Sequence, residues 1–239
     1  MKEGFSMCTR FVYRQREDVI TGFNFDIDPA VWNHKVIQKN DRFYIGILRP
    51  DGLYHSYHGV NRNGNAGTLL YVHGNPAGAY RDAPNCMTIA DLTEGFIRAQ
   101  LSFDEVLNLL KTTIITYAPD ATMQAMLSDA QGRTLAIEPG IGHREEGGRY
   151  ALMTNYSLLN PESTRPYIVP GDDRYERAAC LLQGYAHGFT VPDAFSVLQS
   201  VRQEEPWATR VSFVYSSRAQ AVYFVQNNRF DQISVHSFA

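Results

Sequence analysis

The chain has few cysteines and no run of positive charge. Its three cysteines, Cys8, Cys86 and Cys180, are an odd number at wide spacing, which fits neither a disulfide framework nor a cysteine-based zinc site. Lysine and arginine total 22 against 25 aspartates and glutamates, a formal net charge of −3. Nucleic acid and anionic membranes are recognised by a basic stripe, so neither is expected as a partner. No apolar run approaches the ~18 residues of a spanning helix. The first seven residues, MKEGFSM, lack the apolar centre of a secretory signal, and a cytoplasmic location is the expectation. The seven histidines contain no HExxH motif, and His55 and His58, three apart on a strand, would send their rings to opposite faces. Gly140-Ile141-Gly142 lacks the helix and the Lys or Ser of a phosphate loop. Neither a metal nor a cofactor is expected.

What is present is enough apolar material for one large core: 44% of the 239 residues are hydrophobic and 20% charged. In the first half, residues 7–15, 19–27, 42–49, 53–61 and 68–74 are rich in Val, Ile, Tyr, Phe and Thr. Turn signals such as Pro50-Asp51-Gly52 and Asn63-Gly64-Asn65 separate them, so they read as an antiparallel meander. The period then changes. Asp91-Leu92-Thr93-Glu94 and Ser102-Phe103-Asp104-Glu105 have the form of helix starts, which predicts two helices over about 91–117. Strands over 122–130 and 133–139 flank Gln131-Gly132, a hairpin signal, and 151–159 reads as another strand. Helical patterns return over 172–187 and 193–203, with Thr190 and Asp193 in capping positions and Cys180 on an apolar helix face. Strands over 210–218, 221–228 and 233–238 close the chain. Strands, two helices, strands, two helices and strands again predict an α+β protein with two stacked antiparallel sheets and helices outside.

Cys8 follows Met7 at the start of the first strand pattern. A thiol attacks as thiolate, and at an ordinary pKa near ~8.5 it needs a base. The nearest histidine in sequence is His34, and no local signature of a papain- or caspase-type enzyme surrounds the cysteine. An α-amino group on the nucleophile itself, with a pKa of about 7.7–8.0, can serve instead. That requires Cys8 to become the first residue, either by initiation at Met7 and methionine removal or by cleavage of residues 1–7 as a short propeptide; residues 8–239 would then be one domain. The alternative is an ordinary apolar strand residue, as most buried free cysteines are.

The neighbours of Cys8 decide between these. Met7-Cys8-Thr9 with Gly22-Phe23-Asn24-Phe25-Asp26, then Gly59-Val60-Asn61-Arg62-Asn63-Gly64, Asp129 through Gly132 to Ile137-Glu138-Pro139, Met153-Thr154-Asn155 and Asn227-Asn228-Arg229 occur in order. Together they resemble the N-terminal-nucleophile (Ntn) cysteine hydrolases of the choloylglycine hydrolase, penicillin V acylase and acyl-coenzyme A:6-aminopenicillanate acyltransferase group, which cleave linear amide C–N bonds. The resemblance implies a four-layer αββα sandwich and assigns roles. Cys8 would be the nucleophile, Asp26 the partner of its α-amino group, and Asn155 a donor to the oxyanion. Tyr71 would supply a second donor, through its side chain or through its own or its neighbour's backbone N–H. Arg229 would set a positive charge beside the sulfur. Phe23 departs from the pattern, since bile salt hydrolases carry arginine there, which puts bile-salt specificity in doubt. The expected substrate is a small acyl-amide, and a homo-oligomer is compatible with the family. Two other activities stay open: acyl transfer to an amine in place of hydrolysis, and a non-catalytic domain of the same fold that binds a ligand.

Overall fold

The computed structural model describes residues 8–185 and 188–238. In chain order they form β1 (Thr9–Arg14), β2 (Val19–Asp26), β3 (His34–Lys39), β4 (Arg42–Leu48), β5 (Tyr54–Asn61), β6 (Ala66–Tyr71), β7 (Cys86–Thr88), α1 (Ile89–Ile97), α2 (Phe103–Leu109), β8 (Ile114–Thr116), β9 (Met123–Ser128), β10 (Thr134–Glu138), β11 (Gly142–Glu145), β12 (Tyr150–Met153), α3 (Pro161–Thr164), α4 (Arg174–Gly184), α5 (Val191–Ser200), β13 (Thr209–Ser216), β14 (Ala221–Gln226) and β15 (Ser234–Ser237). The expected leader, residues 1–7, lies outside the described residues.

Two antiparallel sheets carry the architecture. One has the order β12-β1-β2-β13-β14-β15 and the other β11-β10-β9-β6-β5-β4-β3. Their facing sides bury Val12, Phe23, Phe43, Val60, Met126 and Phe213 in a common core. On the far side of the first sheet, Ala178 and Leu182 of α4 and Phe195 and Leu198 of α5 pack on Phe11, Ile20 and Val214. On the far side of the second, Leu92 and Phe96 of α1 and Phe103 and Val106 of α2 cover Leu69, Leu127 and Leu135. The result is the four-layer αββα sandwich.

The N-terminal strands are not one meander. β1 and β2 form a hairpin in the first sheet, while β3 to β6 belong to the second. β3, absent from the sequence reading because HKVIQK lacks apolar alternation, is one of that sheet's two edge strands. The second expected helix also stops early: α2 ends at Leu109, and the β-branched run Ile114–Thr116 pairs in parallel with β7. α1 begins before Asp91, because Thr88 caps it by accepting from the Asp91 N–H. The Ser102–Glu105 and Thr190–Asp193 capping boxes form as expected. Cys180 is exposed rather than in the core: Ala178 and Leu182, four apart, turn inward, and Cys180, two residues from each, turns outward.

Gly22 of the Gly-Phe-Asn-Phe-Asp motif has a packing reason. A Cβ built there would lie 2.2 Å from Cζ of Phe11, so the Phe11 ring covers the β2 backbone only because that side chain is missing.

Candidate active site

Cys8 immediately precedes β1, and Thr9 pairs with Asn24 of β2, so Cys8 sits beside Phe25 on the neighbouring strand. Both side chains join the core between the sheets. Cys8 is buried, 1% exposed, and its Sγ lies 3.9 Å from the backbone oxygen of Asp26. Successive side chains of a strand face opposite ways. Asp26 therefore shares the face of Asn24, whose Nδ2 donates to the Leu198 carbonyl in α5. The Asp26 carboxylate is fully buried and accepts from the Thr209 hydroxyl at 2.6 Å. Burial pushes its carboxyl up to about 7, against the opposing pull of Arg174 and the Thr209 hydrogen bond.

The cation at this site is Arg174, the first residue of α4, which the sequence reading did not single out. Its side chain is 2% exposed. Nη1 donates to the carbonyl of Cys8 at 3.0 Å and lies 3.9 Å from Oδ2 of Asp26. Nη2 reaches Oδ1 of Asn155 at 3.3 Å, and Nε and Nη2 each meet an oxygen of Asp172 at 2.8 Å. Burial alone would lower the basicity of this guanidinium. The Asp172 hydrogen bonds and the charges of Asp26, Asp172 and Cys8 outweigh it, and the pKa is raised. Arg174 thus ties together three of the expected residues, Cys8, Asp26 and Asn155.

Asn155 follows β12 and is buried. Because Arg174 donates to its Oδ1, its Nδ2 is oriented to donate to the Tyr71 carbonyl at 2.9 Å. Tyr71 closes β6 and so is brought to the same place. The backbone N–H of Val72, considered as an oxyanion donor, is spent on Thr122. Glu138, at the end of the expected β10 hairpin, accepts from the Ser157 hydroxyl and from the N–H groups of Leu158 and Leu159. It fixes the segment that follows Asn155, where a longer strand was expected.

Arg229, the expected cation, stands elsewhere. Asn227 and Asn228 adopt positive φ of 53° and 58° and turn the chain out of β14. Arg229 is left exposed, and its guanidinium has no hydrogen-bond or ion-pair partner among the described residues. Phe23, in the position of the family arginine, is fully buried and stacks on His58 at 5.3 Å between ring centres. An arginine does occur opposite it: Arg10 is the register partner of Phe23, but its guanidinium turns to Ser128.

An apolar recess of roughly 570 Å³, counting its open mouth, borders this site through Phe25. Ile27, Trp32, Ile47, Leu69 and Met123 also line it, and Arg49, paired with Asp120, stands among its lining residues. A local opening of the second sheet creates it. β5 pairs with β6 only from His58 to Val60, whereas β4–β5 pairing runs on to Tyr54 and β6–β9 pairing to Tyr71. Where the ladder stops, the Leu69 N–H donates to Nδ1 of His58 at 3.3 Å instead. No group of three or more His, Cys, Asp or Glu side chains able to hold a metal ion occurs among the described residues.

No protein-family description and no curated protein sequence matches the chain. Solved structures do. Two variants of the conjugated bile acid hydrolase from Clostridium perfringens match with TM-scores of 0.72 and 0.70 at 16% and 15% identity, covering 96% of this chain and 92% of theirs. Penicillin V acylase from Agrobacterium tumefaciens matches at 0.64 and 17% identity, over 95% of this chain and 84% of its own. An N-acylethanolamine-hydrolyzing acid amidase ortholog from Caenorhabditis elegans matches at 0.60 and 15%, over 88% and 93%. The fold expected from the five ordered motifs is therefore the one observed, and the chain has the αββα Ntn-hydrolase fold in common with these enzymes.

Proposed function

We propose that the protein is a cysteine amidohydrolase that cleaves a linear acyl-amide once Cys8 has become its first residue. The observation that carries this reading is the single guanidinium of Arg174, which bridges Cys8 and Asn155 and lies beside Asp26. A buried cation in contact with a cysteine backbone, an amide donor and a carboxylate is an arrangement for charge that develops at sulfur and at a carbonyl oxygen.

The chemistry then runs in two steps. The α-amine of Cys8, held by Asp26, takes the thiol proton directly or through a water, and sulfur attacks the amide carbonyl carbon. The oxyanion is met by the second Nδ2 hydrogen of Asn155 and by a donor from Tyr71, with Arg174 lowering the energy of negative charge in this region. As the C–N bond breaks, the ammonium returns its proton to the leaving nitrogen, and an acyl-thioester remains. Water, deprotonated by the same amine, then attacks the thioester carbonyl and releases the acid and the thiol. The recess beyond Phe25 takes the acyl group. Its apolar lining favours an alkyl or aryl acyl part, and Phe23 is the basis for not proposing a bile salt.

Two experiments test the proposal. Intact mass shows whether residues 1–7 are absent from the protein made in cells. A panel of acyl-amides, with a Cys8→Ser control, then shows hydrolysis and a thioester adduct at Cys8. An amine added to the same assay diverts the acyl group into a new amide if the protein is an acyltransferase. The burial of Cys8, which is 1% exposed, favours a second reading, a ligand-binding domain. Retained residues 1–7, no turnover and a thiol inert to iodoacetamide would establish it.

A further inference from the structure

The five N–H donors of Arg174 are unequally shared between two carboxylates. Asp172 receives a two-point grip, Nε to Oδ1 and Nη2 to Oδ2, both at 2.8 Å. From Arg174, Asp26 receives no such grip: Nη1 lies 3.9 Å from its Oδ2. Parallel bonds to a planar carboxylate are the strong mode for a guanidinium, so the first arrangement prevails over a single distant contact. Asp172 is held in place to offer it. Its side chain is 4% exposed, the Tyr156 hydroxyl donates to its Oδ2 at 2.7 Å, and that hydroxyl in turn accepts from the N–H of Val169 at 3.2 Å.

We propose that Asp172, oriented by Tyr156, is a positioning residue: by gripping Arg174 it keeps the guanidinium from closing on Asp26, and so leaves Asp26 to hold the α-amine of Cys8. The proposal rests on the N-terminal cysteine reading above. The titratable groups around Cys8 and Asp26 come from several elements. Arg174 comes from α4, Asp172 from the segment before it and Tyr156 from the segment after β12. Arg10 of β1 points to Ser128, and Glu138 of β10 is spent on Ser157, Leu158 and Leu159. Asp172 is therefore the counter-charge that offsets Arg174. Without it, the guanidinium has one buried carboxylate left to pair with.

The experiment compares Asp172→Asn, Asp172→Glu and Tyr156→Phe with the parent chain. In a crystal structure of Asp172→Asn, Arg174 and Asp26 are expected to close from 3.9 Å to hydrogen-bond distance. In protein that begins at Cys8, the variant loses the anion that offsets Arg174, whose charge acts on Cys8, so the pH midpoint of iodoacetamide alkylation falls by about one unit. Hydrolysis of an acyl-amide falls about 10²-fold at neutral pH as Asp26 is taken from the amine. Tyr156→Phe keeps the anion and is expected to leave the midpoint within a few tenths of a unit, and Asp172→Glu restores it. An unchanged Arg174–Asp26 separation in Asp172→Asn overturns the proposal, as does a loss of thermal stability with no movement of the midpoint. If the parent protein cleaves no amide, the amidohydrolase reading fails, yet the crystal distance still decides the role of Asp172.

Discussion

Asn155 and Tyr71, 84 positions apart, are joined by one hydrogen bond from Nδ2 to a backbone carbonyl at 2.9 Å. With Arg174 on its Oδ1, the amide of Asn155 cannot flip without placing like groups against each other. This fixed orientation is what an oxyanion donor requires, because a donor that must reorient during the reaction loses its advantage. Replacing Asn155 with Ala is expected to lower kcat about 10²- to 10³-fold. Single-turnover acylation measures it, and a normal acylation rate in the variant refutes the assignment.

Arg174 is expected to be a stability determinant as well. Arg174→Met leaves Asp172 and Asp26 buried without their cation, and removing one member of such a cluster costs about 3–5 kcal/mol. Denaturant unfolding reads this directly. Arg174→Lys keeps the charge but loses the fork to Asp172, so it is expected to retain more stability than the Met variant and little more activity.

Two buried groups shape the pH dependence of stability in opposite directions. Asp26 titrates at about 7 in the folded chain against 3.8 ordinarily. The folded state therefore holds that proton more tightly, and stability falls as pH rises from about 4 to 7, by about 4 kcal/mol for a shift of this size. His58, buried between Phe23 and Phe25, is pushed down to about 3 from 6.5 by burial. There the unfolded state binds the extra proton, so stability falls as pH drops from about 6.5 to 3. Between pH 4 and 6.5 the two effects oppose each other. Asp26→Asn is expected to expose the acid-side loss and His58→Gln the loss on alkalinisation, both measured by urea unfolding at a series of pH values. If Asp26 holds the α-amine as proposed, removing residues 1–7 is expected to lower its pKa and suppress the alkaline loss.

The apolar recess is expected to set acyl size. Met123→Trp fills it from the β9 side and is expected to raise KM at least tenfold for long acyl chains while leaving short ones within about threefold, since each buried methylene contributes ~0.8 kcal/mol. Equal effects on both lengths would place the acyl group elsewhere.

Gly22→Ala is expected to destabilise by about 1–3 kcal/mol, because the new methyl meets the Phe11 ring and the core must shift. Thermal unfolding checks it.

The layer order was readable because alternating apolar residues mark strands and capping residues mark helices, and both kinds of signal are local. Cys8, Asp26 and Asn155 were chosen from short ordered motifs and Tyr71 from its place in the family resemblance, and the structure brings the four into one region. Arg174 was not found. In Asp172-Asp173-Arg174-Tyr175-Glu176-Arg177 it is one charge among five, and such a run reads as a solvated helix start. Its burial depends on where the start of α4 docks against β1 and β2, which no local pattern encodes. Arg229 was chosen on a motif alone, and the left-handed turn at Asn227 and Asn228 sends it outward. β3 and β11 escaped notice because edge strands with mostly half-buried or exposed residues carry little alternation.

The tether between Cys8 and Arg174 spans 166 positions. During synthesis the cysteine leaves the ribosome long before its guanidinium partner has been translated, and Thr209, which bonds Asp26, emerges later still. A nascent chain therefore carries an ordinary thiol. The reactivity proposed for Cys8 would arise only when the last third of the polypeptide has docked, so the growing chain would be spared a competent nucleophile.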